Sequence, residues 1–316
     1  MKVAFVVERF PVVSETFIIN QVADLLNRGI QVHIFSFNRG DTENVSQRFY
    51  AYNLAERVTY LSLPAGRLTT YCLLLFKVLS MSLTHPLALR RIFRYRREHP
   101  HFWLTRLIFW AEPFVRTPID LAHCHFGPAA NQFLIIREML AISPKFITTF
   151  YGYDASLTFR QQPRDYYAEL QRECSLFFVM SDDMRRRLIE HGFDERKIRV
   201  LPVSIDVSSY PYAERVHRAG EMIKIISVGR FIEKKGFDDL LRAMDIVKQR
   251  SKQPFKCYII GDGALRDDLV SLATELHLKE DVEFKGTMRI EDIITWLRDA
   301  HLFVQPSKTS RNGDME

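Results

Sequence analysis

Cysteine is scarce in this chain. Its four cysteines, Cys72, Cys124, Cys174 and Cys257, are widely spaced with no C-x-x-C pair, which excludes a disulfide framework and a zinc-finger-like site and fits a reducing cytoplasm. Long apolar runs are also missing. Nothing approaches the ~20 apolar residues of a membrane-spanning helix, and the nearest stretch, Tyr71 to Leu83, is short and carries Lys77. The N-terminal MKVAFVVERF is too brief for a secretory h-region and closes at once on Glu8 and Arg9, so it reads as a first strand. Charge of one sign is only slightly in excess: the net +6 gives a weak bias toward anionic partners or surfaces, and no nucleic-acid partner is expected.

What is present is the composition of a globular protein, 47% hydrophobic and 26% charged. A chain of 316 residues exceeds what one core usually fills, so two domains are expected. In the first part, Val3 to Val7 reads as a strand and Glu15 to Arg28 as a helix with Ile18, Val22, Leu25 and Leu26 on one face, stopped at Gly29. Strands follow at Gln31 to Phe37, Leu121 to His125, Phe146 to Phe150 and Leu176 to Met180, and then a helix opened by Ser181 and stopped near Gly192. Residues 206–221 are polar and aperiodic and contain Pro211, which makes them the interdomain linker. The domains are therefore 1–205 and 222–316. In the second, strands at Ile223 to Val228, Phe255 to Ile260, Val282 to Phe284 and Leu302 to Val304 alternate with three apolar-faced helices. Such alternation implies α/β architecture, doubly wound parallel sheets with helices on both faces, and ligands outside the strand C-termini.

The segment LALRRIFRYRREHPHFWLTRLIFWAEPFVR stands apart. Arg90, Arg91, Arg94, Arg96 and Arg97 interleave with Ile92, Phe93 and Tyr95, ahead of Phe102, Trp103, Ile108, Phe109 and Trp110. Arginines beside aromatics suit a helix at an anionic membrane surface. The alternative is a solvated basic face on a helix whose other side packs in the core.

The most informative stretch is VGRFIEKKGFDDLLRAM, Val228 to Met244. A strand ends at Gly229 with Arg230 at its tip, Lys234 and Lys235 follow in the loop, and Gly236 opens the next helix. A diphosphate placed there would meet two kinds of cation and the positive end of a helix, a phosphate site that needs no metal. The other reading is ordinary lysine solvation before a helix. A dinucleotide fold is disfavoured, since G-D-G-A-L-R lacks the third glycine of that fingerprint and follows a late strand.

Four elements in order, SVGRFIEKKGFDDLLRA, CYIIGDGALRDDL, VEFKGTM and LFVQPSKTSRNGDME, resemble the nucleotide-sugar domain of the retaining glycosyltransferase family 4. That resemblance implies the GT-B arrangement, two Rossmann-like domains facing a cleft. It implies that Arg230 and Lys235 hold the donor diphosphate, Lys234 less so, and that the turn Gly261, Asp262, Gly263 lies beside the nucleobase. The family's signature is a glutamate, seven residues, then a second glutamate. Its first glutamate corresponds to Glu316, the last residue, so the second domain is expected to be incomplete and the donor site cut.

The N-terminal half resembles the same family, of the exopolysaccharide or colanic-acid type. ERFPVVSETFI fits the loop after the first strand, with Ser14 and Glu15 as acceptor-side residues, although Ser14 or Thr16 with Glu15 would equally cap the following helix. In IDLAHCHFG, His123 and His125 lie two apart on a strand and share a face. No third ligand of matching spacing accompanies them, and the family generally uses no catalytic metal, so they are expected to line the cleft. TTFYGYDAS aligns with a family stretch that often reads T-x-H-G-x-D. Tyr151 stands in the histidine's place, a poor general base near neutrality, and Asp154 is the matching carboxylate, with an Asx-type turn or cap as its alternative. Tyr151, Asp154 and His125 are the catalytic candidates.

The resemblance implies sugar transfer from a nucleotide diphosphate sugar to a lipid-linked exopolysaccharide or other glycan acceptor, without cofactor or metal. The expected location is the cytoplasm, peripheral at the inner face of the plasma membrane. The alternative is a non-catalytic remnant that still binds acceptor or membrane.

Overall fold

The computed structural model describes residues 1–212, 214, 218 and 220–315. The chain divides into two compact units. The first comprises Met1–Val12, Ile18–Asp41 and Arg48–Val203; the second comprises Val13–Phe17, Thr42–Gln47 and the described residues from Ser204 onward. Residues 213, 215–217 and 219 of the expected linker, 206–221, lie outside the described residues.

The first unit begins with β1 (Lys2–Phe10), α1 (Thr16–Asn27), β2 (Gln31–Arg39), α2 (Gln47–Ala51) and β3 (Val58–Tyr60). Three consecutive helices follow: α3 (Arg67–Thr84), α4 (Pro86–Glu98) and α5 (Leu104–Arg116). The chain then returns through β4 (Leu121–His125), α6 (Gly127–Leu140), β5 (Lys145–Thr149), α7 (Leu157–Gln161), α8 (Ala168–Glu173), β6 (Leu176–Val179), α9 (Asp182–Glu190) and β7 (Ile198–Val200). The parallel sheet runs β3-β2-β1-β4-β5-β6-β7. Central β1 is buried from Val3 to Val7 without alternation, as a strand covered on both faces must be. Phe35 stacks on Phe114 at 4.0 Å, and Phe133 packs behind it. Ser181 caps α9 by accepting from the Met184 amide at 3.2 Å. β3 escapes a sequence reading because its three residues are all half-buried and too few to show a period.

The second unit holds β8 (Ile223–Val228), α10 (Phe237–Arg250), β9 (Phe255–Ile260), α11 (Arg266–Glu275), β10 (Val282–Gly286), α12 (Ile290–Asp299) and β11 (Leu302–Phe303). Its parallel sheet runs β10-β9-β8-β11. Phe231, Phe237, Leu240, Leu241 and Leu269 fill the core on the α10–α11 side. On the other side, Ile226, Ile260 and Ala300 pack with Trp296 and Ile293 of α12.

The helices between β3 and β4 revise one expectation. Ile108, Phe109 and Trp110 of α5 are buried, as are Ile92 and Tyr95 of α4. They are core residues under the sheet and not a lipid-facing aromatic belt. Of the aromatics in that segment, Phe93 and Trp103 are exposed.

Both sheets reverse strand order next to their first strand, between β1 and β4 in one and between β8 and β11 in the other. At such switch points the loops leaving neighbouring strands part in opposite directions and leave room for a ligand.

Candidate functional site

At the first switch point, Glu8 near the end of β1 accepts a 2.7 Å hydrogen bond from the Tyr153 hydroxyl. His123 and His125 of β4 stack with ring centroids 4.2 Å apart. His123 Nε2 meets the Thr149 hydroxyl at 2.7 Å, and His125 Nδ1 meets the Tyr151 hydroxyl at 2.8 Å. His125 is fully buried, and its Nε2 has no partner among the described residues. Burial pushes the His123 pKa down to about 4. Burial and then its imidazole neighbour push His125 well below the ordinary value, so both rings are neutral near pH 7.

The loop after β5 is built on Asp154. Its Oδ1 accepts from the Tyr151 and Gly152 amides at 3.0 and 2.9 Å, and its Oδ2 accepts from the Gly127 amide at 3.1 Å. The carboxylate is wholly enclosed. Burial raises its pKa to about 6, against the opposing pull of those amides. Of its two readings, the Asx-type turn is the arrangement observed, and the staple extends to the start of α6. A carboxyl that accepts from three amides inside the fold holds the loop in place.

Phe126 precedes α6 with φ +71°, a conformation that costs a bulky side chain energy. It packs between Tyr151 and Tyr153, with ring centroids at 4.8 and 5.3 Å. Glu8, Phe126 and Tyr153 are absent from the sequence-derived candidates. The signal for Glu8 was available, because a carboxylate ending a fully buried central strand emerges at the ligand edge.

The second switch point is of opposite character. Arg230, just past β8, is exposed, and no carboxylate pairs with its guanidinium among the described residues. Lys235 lies across the β8 tip, its Cδ and Cε 3.4 and 3.5 Å from where a Cβ on Gly229 would stand. Lys234 is 7% exposed and turned away, its Nζ 3.1 Å from Asp314 Oδ1 and 3.3 Å from the Met315 carbonyl. Adjacent lysines thus divide the work, one strapping the loop after β11 and the other lying at the sheet edge.

Glycine is what lets these loops converge. Gly236 has φ +66° and Gly261 φ +141°; a Cβ on either would stand 1.9 Å from a backbone oxygen, of Pro306 and Gly229 respectively. The turn Gly261 to Gly263 is stitched to Phe231, whose amide donates to the Asp262 carbonyl at 2.9 Å and whose carbonyl accepts from the Leu265 amide at 3.1 Å. Asp238 and Asp239 in the first turn of α10 hold Lys308 at 2.7 and 2.8 Å. Those carboxylates offset the positive end of α10, so an anion here would rest on Arg230 and Lys235 more than on the helix.

The structure brings His123, His125, Tyr151 and Asp154 together in the first unit, and Arg230, Lys235 and Gly261 to Gly263 in the second. Ser14 is exposed and Glu15 half-buried in the turn before α1, within the segment that groups with the second unit. Glu316 lies outside the described residues.

A family model described as Glycosyltransferase Family 4 matches residues 14–209, and one described as Glycosyl transferases group 1 matches residues 213–313. The chain is similar to the putative colanic acid biosynthesis glycosyltransferase WcaL of Escherichia coli (strain K12), 30% identical over 321 residues, covering 100% of this chain and 78% of that one. It is equally similar to the amylovoran biosynthesis glycosyltransferase AmsK of Erwinia amylovora, 30% identical over 322 residues with the same coverage. Among solved structures it resembles Anabaena Alr3699/HepE in complex with UDP and glucose, with TM-score 0.62 and 16% identity over 97% of this chain and 74% of that one. It also resembles WaaG, a glycosyltransferase involved in lipopolysaccharide biosynthesis, with TM-score 0.60 and 12% identity over 98% and 76%. At those identities the structures speak for the fold, which is GT-B.

Proposed function

Because the chain belongs to Glycosyltransferase Family 4, we propose that it transfers a sugar, with retention of anomeric configuration, from a nucleotide diphosphate sugar to a lipid-linked exopolysaccharide intermediate at the cytoplasmic membrane face. The observation that carries the donor half is the tip of β8, where Arg230 and Lys235 stand beside backbone that glycine keeps open. As the glycosidic bond breaks, negative charge grows on the leaving diphosphate, and two adjacent cations stabilise it more in the transition state than in the ground state. With these cations the reaction needs no metal, and a chelator should leave the rate unchanged.

Departure and attack then take place on the same face of an oxocarbenium-like centre. The neutral imidazoles and tyrosines of the first unit, which hydrogen-bond without carrying charge, are the groups suited to sugar hydroxyls. The acceptor class rests on the relatives named for colanic acid and amylovoran biosynthesis. The nucleotide follows the HepE complex with UDP, with GDP as the competitor because a more distant relative, 23% identical over 204 residues, is named a GDP-mannose-dependent mannosyltransferase of Corynebacterium glutamicum.

Calorimetric titration with UDP and GDP tests the reading. One nucleotide should bind, and Arg230→Ala/Lys235→Ala should weaken it by roughly a hundredfold or more, at about 1.5 kcal/mol or more for each hydrogen bond to a charged group. Equal binding by the folded variant would refute the assignment.

A further inference from the structure

The surface built by α3 and α4 plays no part in either switch point, and it carries its own chemistry. α3 has 18 residues, of which Met81 alone is buried. Leu68, Leu75, Leu79 and Leu83 are 78%, 70%, 63% and 78% exposed. At 3.6 residues per turn these four fall within one narrow stripe, flanked by exposed Tyr71 and Phe76. The helix's one lysine, Lys77, points the other way and is held by Glu112 of α5, Nζ to Oε2 at 2.5 Å. An exposed apolar stripe of this length on a folded chain marks an interaction face.

Charge identifies the partner. From Arg67 to Arg97 the cations are Arg67, Lys77, Arg90, Arg91, Arg94, Arg96 and Arg97, with no aspartate or glutamate among them. That stretch alone carries +7 against +6 for the whole chain, so the rest of the chain sums to −1. α4 buries Leu89, Ile92 and Tyr95 and lines an open surface depression with Arg90, Arg91, Arg94 and Arg97 beside Leu87 and Phe93. Among the described residues no carboxylate pairs with Arg90, Arg96 or Arg97. Guanidinium groups beside exposed Leu87 and Phe93, on a helix packed against α3, match the layering of a bilayer, with phosphates above acyl chains. A second copy of this face would set like charges opposite one another.

We propose that α3 and α4 form a docking surface for an anionic phospholipid bilayer, the α3 stripe lying in the interface and the α4 arginines on the lipid phosphates. No described helix is long and apolar enough to cross a membrane, so α3 lies in the membrane plane. The docking surface is complete in these two helices and does not require the glycosyltransferase reading.

Flotation of the full chain with vesicles of phosphatidylcholine, with and without phosphatidylglycerol, tests it. Binding is expected only with the anionic lipid and should weaken with salt. Arg90→Gln/Arg97→Gln should reduce it about thirtyfold, two cations at about 1 kcal/mol each. Leu75→Ser/Leu79→Ser should reduce it about a hundredfold, with unchanged thermal melting because neither leucine is in the core. Absence of binding to anionic vesicles overturns the proposal, and so does binding indifferent to both variants. A dimer that Leu75→Ser/Leu79→Ser disperses, without lipid binding, would assign the face to a second copy and also overturn it.

Discussion

The two switch points use the same backbone geometry for opposite electrostatic ends. In the first unit, titratable groups are drawn inside and held neutral or fully hydrogen-bonded: two stacked histidines, a tyrosine on Glu8, and an aspartate closed around three amides. In the second, charge is kept at the surface, with Arg230 exposed and Lys235 half-buried across the strand tip. A buried hydrogen-bonded network is fitted to orient hydroxyls, and an exposed cationic edge to gather phosphate. The fold supplies two equivalent places, and the solvation of the side chains decides which ligand each suits.

The contrast is most vulnerable at Asp154. Asp154→Ala leaves three amides without their acceptor, and at about 1 kcal/mol or more each the first unit should lose at least ~3 kcal/mol in urea denaturation. A loss below about 1 kcal/mol would mean the loop does not depend on the staple. On the cationic side, Gly261→Ala meets the Gly229 carbonyl at 1.9 Å and a φ of +141°. It should cost about 2 kcal/mol and weaken nucleotide binding, since the turn and the Arg230 loop must move together. Unchanged binding in that variant would detach the turn from the proposed nucleotide site.

The smallest effect is the titration of His123. With its pKa near 4 in the folded chain against the ordinary 6.5, the unfolded chain takes up a proton that the folded one refuses. The histidine's contribution to stability is therefore full above about 6.5 and lost as pH falls toward 4. Asp154, raised to about 6, acts in the opposite sense: its contribution is present below its unfolded value and lost as pH rises through 6. The side-chain NMR signal of His123 is thus a cleaner readout than melting. It should stay fixed from about pH 8 to about pH 5, and a midpoint near 6.5 would place that ring in solvent and remove the contrast between the units.

These sites were unequally legible in the sequence. The cationic edge lies within one short stretch, where the strand tip, two lysines and a helix-opening glycine follow one another, so its chemistry shows without tertiary information. Pairs such as His125 with Tyr151 or Glu8 with Tyr153 exist because β1, β4 and β5 lie side by side, and no local pattern reports that adjacency. Asp154 was ambiguous for a local reason, since an Asx turn and a reactive carboxylate use the same residue. The α3–α5 region stayed open between two readings for a related one. Periodicity finds an apolar face but not what covers it: α5 spends its aromatics on the core, while α3, interrupted by Lys77, leaves its leucines exposed.

Amide hydrogen exchange of the full chain, with and without whichever of UDP or GDP it binds, probes the contrast between the units most directly. Protection is expected in residues 229–236 and 261–265, with residues 151–156 unchanged. Protection confined to 151–156, or none in the two second-unit loops at saturating nucleotide, would contradict the assignment of phosphate to the cationic edge.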